Sequence, residues 1–259
     1  MLRKRIIFTL IYSDGYFMQS RNFRLQKVGD LNWLKRNYKF QKIAFSLDEL
    51  IVLNATRENK SISKFADTIS KLVNDVFIPI AAGGGIRTIE DAELLFNSGA
   101  DKIVLNTALY EMPELVKDII QRYGSQSVVA SVDYKSEDGL NKVFINDGTK
   151  ELPLSFEDYI AYICTLNIGE IYLNSISKDG TGFGYDFDTI KKIKENLSVP
   201  LIIAGGAGNQ SHFMEGLKLE GVNAVATANL FNFIGDGLPI ARKTLIESGE
   251  NIAKWDGLE

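Results

Sequence analysis

A parallel (βα)8 barrel, the TIM-type α/β fold, is the fold class this sequence predicts, on three observations. Short, nearly continuous apolar runs alternate with helix-like segments along all 259 residues, which is how parallel strands covered on the outside read. Eight such pairs occur, the number that closes a βα ring. The chain is also written twice. Asp67-Thr68-Ile69 returns 121 positions later as Asp188-Thr189-Ile190, Glu49-Leu50-Ile51-Val52 as Glu170-Ile171-Tyr172-Leu173, and Gly84-Gly85 as Gly205-Gly206. Two equal four-unit halves, about 1–122 and 123–245, close naturally into a ring; a doubly wound open sheet does not need them. One domain is expected to span 1–259, without a linker or low-complexity segment.

Taken in order, strands are expected near 6–11, 50–54, 77–82, 102–106, 128–133, 170–174, 200–204 and 223–227. Helices are expected near 31–43, 62–75, 89–98, 112–122, 155–165, 186–195, 210–219 and 238–248. Ser61, Thr88 with Glu90 and Asp91 behind it, and Asn209-Gln210-Ser211 are cap signals. The irregular stretches 12–30 and 135–154 each follow the first strand of a half, and they are expected as mobile loops over the functional face.

Composition narrows the class. With 45% hydrophobic residues the chain can bury a sizeable core, and a net charge of −4 without long runs of either sign weighs against a nucleic-acid binder. The apolar run after Met1-Leu2-Arg3-Lys4-Arg5 is too short for a signal peptide, and no stretch approaches a membrane span. The expected setting is the cytoplasm. Cys164 is the single cysteine and reads as a small buried residue; His212 is the single histidine and is expected at the surface. One of each excludes a Cys/His metal site and a Ser-His or Cys-His triad. Carboxylate-only Mg²⁺ binding has no clustered signature, and no metal or cofactor is expected.

In a barrel of this type function sits at the carboxyl ends of the strands. Read in order, those ends carry Ile11, Asn54, Gly83-Gly84-Gly85, Asn106-Thr107, Asp133, Ser175, Gly205-Gly206 and Ala228-Asn229. Gly84, Gly85, Asn106 and Thr107 form one candidate anion cradle; Asp179, Gly180, Gly205, Gly206, Ala228 and Asn229 form another. Glycines let backbone N–H groups approach an oxyanion. One glycine run is weak evidence, because turns need glycine too, but two copies in register are stronger. Two opposed cradles imply a long substrate with a phosphate at each end. Asp133 closes an apolar strand, where an isolated carboxylate is costly without a job or a partner. General acid/base work is preferred over a carboxylate merely bonded to loop amides. Its counterpart in the other half is Ile11, which transfers no proton, and Asp14 reads as a turn cap. Arg5, Glu49, Lys102 and Glu170 open four strands at the opposite mouth, and geometry alone favours a structural plug of salt bridges.

These residues also carry a resemblance. The opening Met1–Ile7, Asp14-Gly15, Phe77-Ile78-Pro79-Ile80, Gly83-Gly84-Gly85-Ile86-Arg87, Gly99-Ala100-Asp101-Lys102, Leu105-Asn106-Thr107-Ala108, Gly124-Ser125-Gln126, Asp179-Gly180-Thr181, Gly184-Tyr185-Asp186 and Ala204-Gly205-Gly206-Ala207-Gly208 together resemble HisF, the cyclase subunit of imidazole glycerol phosphate synthase. The resemblance spans nearly the whole chain. It implies a barrel with two phosphate sites, fed with ammonia by a HisH-type glutaminase docked at the barrel bottom. It turns the ring of Arg5, Glu49, Lys102 and Glu170 into the gate of the ammonia passage, and it places Asp101 at the glutaminase interface.

The top departs from the pattern. HisF-type cyclases use two strand-end aspartates; Asp133 matches one and Ile11 replaces the other. The substrate lysine of the first loop is Gln19, the aspartate ending strand two is Asn54, and the acid ahead of the second phosphate loop is Ser177. Losing one acid/base partner costs about a hundredfold or more in rate. The pattern is similar to HisF-like paralogues that serve, with a glutaminase and an amidotransferase, in converting acetamido to acetamidino groups on surface sugars. A true histidine-pathway cyclase–lyase and a silent scaffold that activates a glutaminase are the alternatives.

Overall fold

The computed structural model describes residues 3–38, 44–193, 197–228 and 237–254. The strands are β1 (Arg5–Ser13), β2 (Tyr16–Arg21), β3 (Arg24–Gly29), β4 (Glu49–Asn54), β5 (Ile80–Gly83), β6 (Lys102–Leu105), β7 (Val128–Glu137), β8 (Leu140–Ile145), β9 (Lys150–Ser155), β10 (Glu170–Ser175), β11 (Leu201–Ala204) and β12 (Val222–Thr227). The helices are α1 (Leu31–Tyr38), α2 (Ile62–Val73), α3 (Ile89–Asn97), α4 (Thr107–Glu111), α5 (Pro113–Tyr123), α6 (Phe156–Thr165), α7 (Phe187–Ile193), α8 (Gln210–Lys218) and α9 (Gly237–Glu247).

β1, β4, β5, β6, β7, β10, β11 and β12 pair in parallel, each with the next, and β12 returns to β1. The result is the closed (βα)8 barrel that the sequence predicts. Both faces of its strands are covered. Residues such as Phe8, Leu50, Ile103 and Leu173 pack outward under the helices, while Ile7, Ile51, Ala81, Val104, Val129, Tyr172, Ile202 and Ala224 fill the interior.

The halves repeat in detail. Pro79 and Pro200, 121 positions apart, have no N–H for the ladder, so β5 and β11 start one residue later than each proline. Each proline carbonyl still accepts an N–H at 2.9 Å, from Leu50 and Ile171. That delays the expected strand 77–82 to Ile80. The cap signals hold: Ser61, the Thr88–Asp91 capping box and Asn209 all accept N–H bonds at helix starts. The helix expected at 112–122 is preceded by a separate turn of helix, α4, because Met112 (φ −138°) leaves helical geometry before Pro113 opens α5. Positions 39–43 and 194–195 of two expected helices lie outside the described residues.

The stretches 12–30 and 135–154 are not irregular loops. β1 and β7 run past the barrel rim and fold back as antiparallel hairpins, β2–β3 and β8–β9. Positive-φ turns at Asp14-Gly15, Asn22-Phe23, Asp138-Gly139 and Asn146-Asp147-Gly148 allow the reversals.

Candidate functional site

At the amino-terminal mouth the four charged strand openers close into one ring. Arg5 Nη1 lies 2.6 Å from Glu49 Oε2, and its Nη2 bonds Glu170 Oε2. Lys102 Nζ sits 3.0 Å from Glu49 Oε1 and 2.5 Å from Glu170 Oε1. Each cation therefore bridges both carboxylates. The two carboxylates respond differently. Burial pushes Glu49 upward despite both cations, whereas at Glu170 the hydrogen bond and charge of Arg5, with Lys102, outweigh burial and the net shift is downward. Next to the ring, exposed Asp101 accepts the Ile80 N–H at 2.8 Å. Exposed Phe45 and Phe77 precede β4 and β5 at the same mouth.

The carboxyl ends of the strands surround a cavity that opens to solvent. Thr9 and Tyr172 form its floor, their hydroxyls 3.1 Å apart. Asp133 projects into it from β7, its Oδ1 accepting Asn174 Nδ2 at 3.0 Å and its Oδ2 accepting Asn106 Nδ2 at 3.3 Å. Burial pushes the Asp133 carboxyl up to about 7; the Asn174 bond opposes this, and the charges of Asp147 and Asp179 add to it. A carboxyl with that affinity exchanges a proton near neutrality. Ile11 lines the same cavity, as hydrocarbon.

β10 turns Asn174, rather than the expected Ser175, toward the cavity. Glu170, Tyr172 and Asn174 share the inward face, so the period-two alternation already present in the sequence identifies the inward residue. The same alternation sets Ser20 in the cavity lining and leaves its β2 neighbour Gln19 out of it. Asn54 is buried; its Oδ1 accepts the Thr56 N–H at 3.2 Å, which leaves Nδ2 buried without a hydrogen-bond partner.

The two glycine clusters differ. Gly84, Gly85, Gly205 and Gly206 all have positive φ, between 88° and 107°. A side chain on Gly206 would run into the Gly184 carbonyl, and one on Gly84 into that of Asn54. Gly84 lines the open cavity on one side, and Gly180, Gly205, Gly206, Ala207 and Ala228 line it on the other. Asp179 does not offer itself to an anion: its buried Oδ2 accepts Ser20 Oγ at 2.6 Å and the Phe23 N–H at 3.0 Å, fastening the β2–β3 hairpin over the site. His212 is half-buried, not exposed, and its Nδ1 accepts the Gly208 N–H at 2.9 Å. Cys164 is half-buried as well. Asn229 lies outside the described residues.

Gly85, Thr107 and Lys60 line a second, smaller pocket, which shares Gly84, Asn106 and Asp147 with the cavity. Lys60 Nζ pairs with Asp147 Oδ2 at 3.1 Å, and Asn146 N–H donates to Thr107 Oγ1 at 3.0 Å. Sequence reasoning missed Lys60 and Asp147, since nothing local says where a hairpin tip will land. Among the described residues no three His, Cys, Asp or Glu side chains are grouped to hold a metal ion. No helix among them is long and apolar enough to cross a membrane.

Residues 5–235 match the family model described as histidine biosynthesis protein. A relative from Parasynechococcus marenigrum (strain WH8102), which carries the provisional name imidazole glycerol phosphate synthase subunit hisF2, is 45% identical over 256 residues, covering 98% of this chain and 95% of its own length. Imidazole glycerol phosphate synthase subunit HisF of Exiguobacterium sp. (strain ATCC BAA-1283 / AT1b) is 32% identical over 259 residues, 100% of this chain and 96% of its own. HisF of Hydrogenobaculum sp. (strain Y04AAS1) is 34% identical over 254 residues, 97% of this chain and 99% of its own. With barrel, ring, glycine clusters and full-length relatives in agreement, the chain belongs to the HisF family of histidine biosynthesis proteins.

Proposed function

We propose that the chain is the synthase subunit of a glutamine-dependent complex, receiving ammonia from a HisH-type glutaminase and using it on a phosphorylated ligand at the opposite mouth. One observation carries this reading: a closed ring of Arg5, Glu49, Lys102 and Glu170 guards one end of the barrel, while the other end holds Asp133 facing Ile11 instead of a second acid. Ammonia passes the ring, crosses an interior that includes Ala81, Ala204, Ala224 and Ala226, and emerges by Thr9 and Tyr172 beside Asp133. Asp133, near pH 7 in its proton affinity, takes and returns the proton. Gly180, Gly205, Gly206 and Ala228 hold a phosphate with backbone N–H groups. Phe45, Phe77 and Asp101 belong to the glutaminase docking surface.

The relatives' names point to imidazole glycerol phosphate synthase, and a genuine cyclase is the second reading. Ile11, Asn54, Gln19 and Ser177 favour a paralogue whose chemistry has moved, with acetamidino modification of surface sugars as its destination. The test is turnover of the bis-phosphorylated HisF precursor by the purified chain in saturating ammonium salt, which bypasses the glutaminase. This reading expects no imidazole product. Robust product formation would establish the cyclase and show that Ile11 is tolerated. In the source organism, deletion of the gene is expected to remove acetamidino groups from the surface glycan, read by mass spectrometry, while growth without histidine continues.

A further inference from the structure

The same 122 positions that separate Ile11 from Asp133 separate Thr9 from Ser131. Each lies two residues earlier on its strand, so both side chains point inward, one step below that pair. Both are buried and line the cavity, as does Tyr172. Tyr172 is the register partner of Ser131, as Asn174 is of Asp133. Three hydroxyls therefore lie beneath the Asp133–Asn174 pair. Tyr172 Oη and Thr9 Oγ1 meet at 3.1 Å although β11 and β12 stand between their strands, so the bond spans the lumen. The inward residues before Thr9 and Ser131 are Ile7 and Val129, and the lumen around them is apolar.

Hydroxyls in an apolar lumen cost free energy that valine, alanine and phenylalanine would avoid. The Thr9–Tyr172 bond spends one proton, so both oxygens keep lone pairs for something in the cavity. Their spacing suits one nitrogen at hydrogen-bond distance from each. Burial pushes the Tyr172 phenol up, with the charges of Asp133 and Asp179 adding and the Thr9 bond opposing, and it stays protonated. A neutral floor favours ammonia over the ammonium ion, whose desolvation only Asp133, one step higher, would offset. We propose that Thr9 and Tyr172, with Ser131 beside them, form a binding site for the arriving ammonia molecule. Two of its N–H groups donate to Oγ1 and Oη, and its lone pair is left pointing past Asp133 into the cavity. This rests on the reading that ammonia travels the barrel, and it adds where the molecule stops and how it is turned.

Ammonium chloride titrated into the full chain, ¹³C-labelled at threonine, isoleucine and valine methyls, tests the site by NMR against sodium chloride at matched ionic strength. At pH 8 and pH 9.5, both above the Asp133 midpoint of about 7, the Thr9 methyl is expected to shift to saturation. Less total ammonium is needed at the higher pH, where more of it is free ammonia. Tyr172→Phe keeps the ring and loses Oη; Thr9→Val keeps the shape and loses Oγ1. Each is expected to weaken the response about tenfold, the worth of one such bond, read at the Thr9 methyl in the first and at the replacing valine's methyls in the second. Agreement between them guards against a folding defect in either. An equal midpoint at both pH values means that the ammonium ion binds, and it overturns the proposal; so does an unweakened response in either variant. A native Thr9 methyl that stays still overturns it as well. If Ile7, Ile51 and Val129 shift in its place, the ammonia route stands without this site; if the whole lumen is silent, the route falls with it.

Discussion

Asn174 Nδ2 donates to Asp133 Oδ1 at 3.0 Å, and the two residues are register partners on adjacent strands β10 and β7. The bond fixes the carboxyl group's orientation and favours its charged form, against burial that favours the neutral one. Asn174 thereby positions Asp133 and holds its proton affinity near 7, where donation and acceptance are both accessible.

Asn174→Ala removes the opposing bond and leaves burial and the charges of Asp147 and Asp179 in control. The Asp133 carboxyl is expected to rise above its native value of about 7. Carboxyl ¹³C titration by NMR reads this without any substrate, and an unmoved or lowered midpoint would show that Asn174 does not hold the charged form.

Asp133→Asn tests the same group through stability. Its folded pKa of about 7 lies above the 3.8 of an ordinary aspartate. Between those two values the folded state binds more protons than the unfolded one, so native stability falls as pH rises. The neutral amide escapes this loss. The Tm of the variant minus that of native protein is expected to become more positive from pH 5 to pH 8. Activity in the complex should fall about a hundredfold or more; full retention would favour a scaffold without chemistry.

The barrel was legible because its signals are repeated: Pro79 and Pro200, Gly84-Gly85 and Gly205-Gly206, and the charged openers Glu49 and Glu170 each stand 121 residues apart. Asp133 was legible because a carboxylate at the end of an apolar strand is conspicuous. Asn174 is hidden behind Ser175, because the last residue of β10 points away from the cavity and the last inward one precedes it. Asp147 could not be read at all. Asn146-Asp147-Gly148 says turn, yet its role depends on Lys60, 87 residues earlier, and on the reach of the β8–β9 hairpin.

Arg5→Met leaves Lys102 alone against Glu49 and Glu170, whose side chains are 3% and 10% exposed. Breaking a buried pair from one side costs about 3–5 kcal/mol, so denaturant unfolding is expected to register a loss of that order. Glu170 carries a depressed pKa, and its contribution exists above the unfolded value and fades as pH falls through the folded one. The gap between native and variant should therefore narrow on acidification. Glutamine-driven turnover should change relative to ammonium-driven turnover, and a constant ratio would refute a gate.

The ring in turn depends on a pair behind it. Arg242 is fully buried; its Nη1 and Nη2 reach Asp48 Oδ2 and Oδ1 at 3.0 and 2.8 Å. Asp48 Oδ2 also accepts the Ile6 N–H at 2.8 Å. Asp48 precedes Glu49 and Ile6 follows Arg5, so one fork from α9 clamps the two strands that supply half the ring. Lysine offers a point charge in place of a planar fork, and Arg242→Lys is expected to restore only part of what Arg242→Ala loses, about 3–5 kcal/mol. Hydrogen exchange at the Ile6 amide localises the effect: it should quicken in both variants, and more in Arg242→Ala. An Ile6 amide that exchanges at the native rate in Arg242→Ala would mean that Asp48 holds β1 without the arginine.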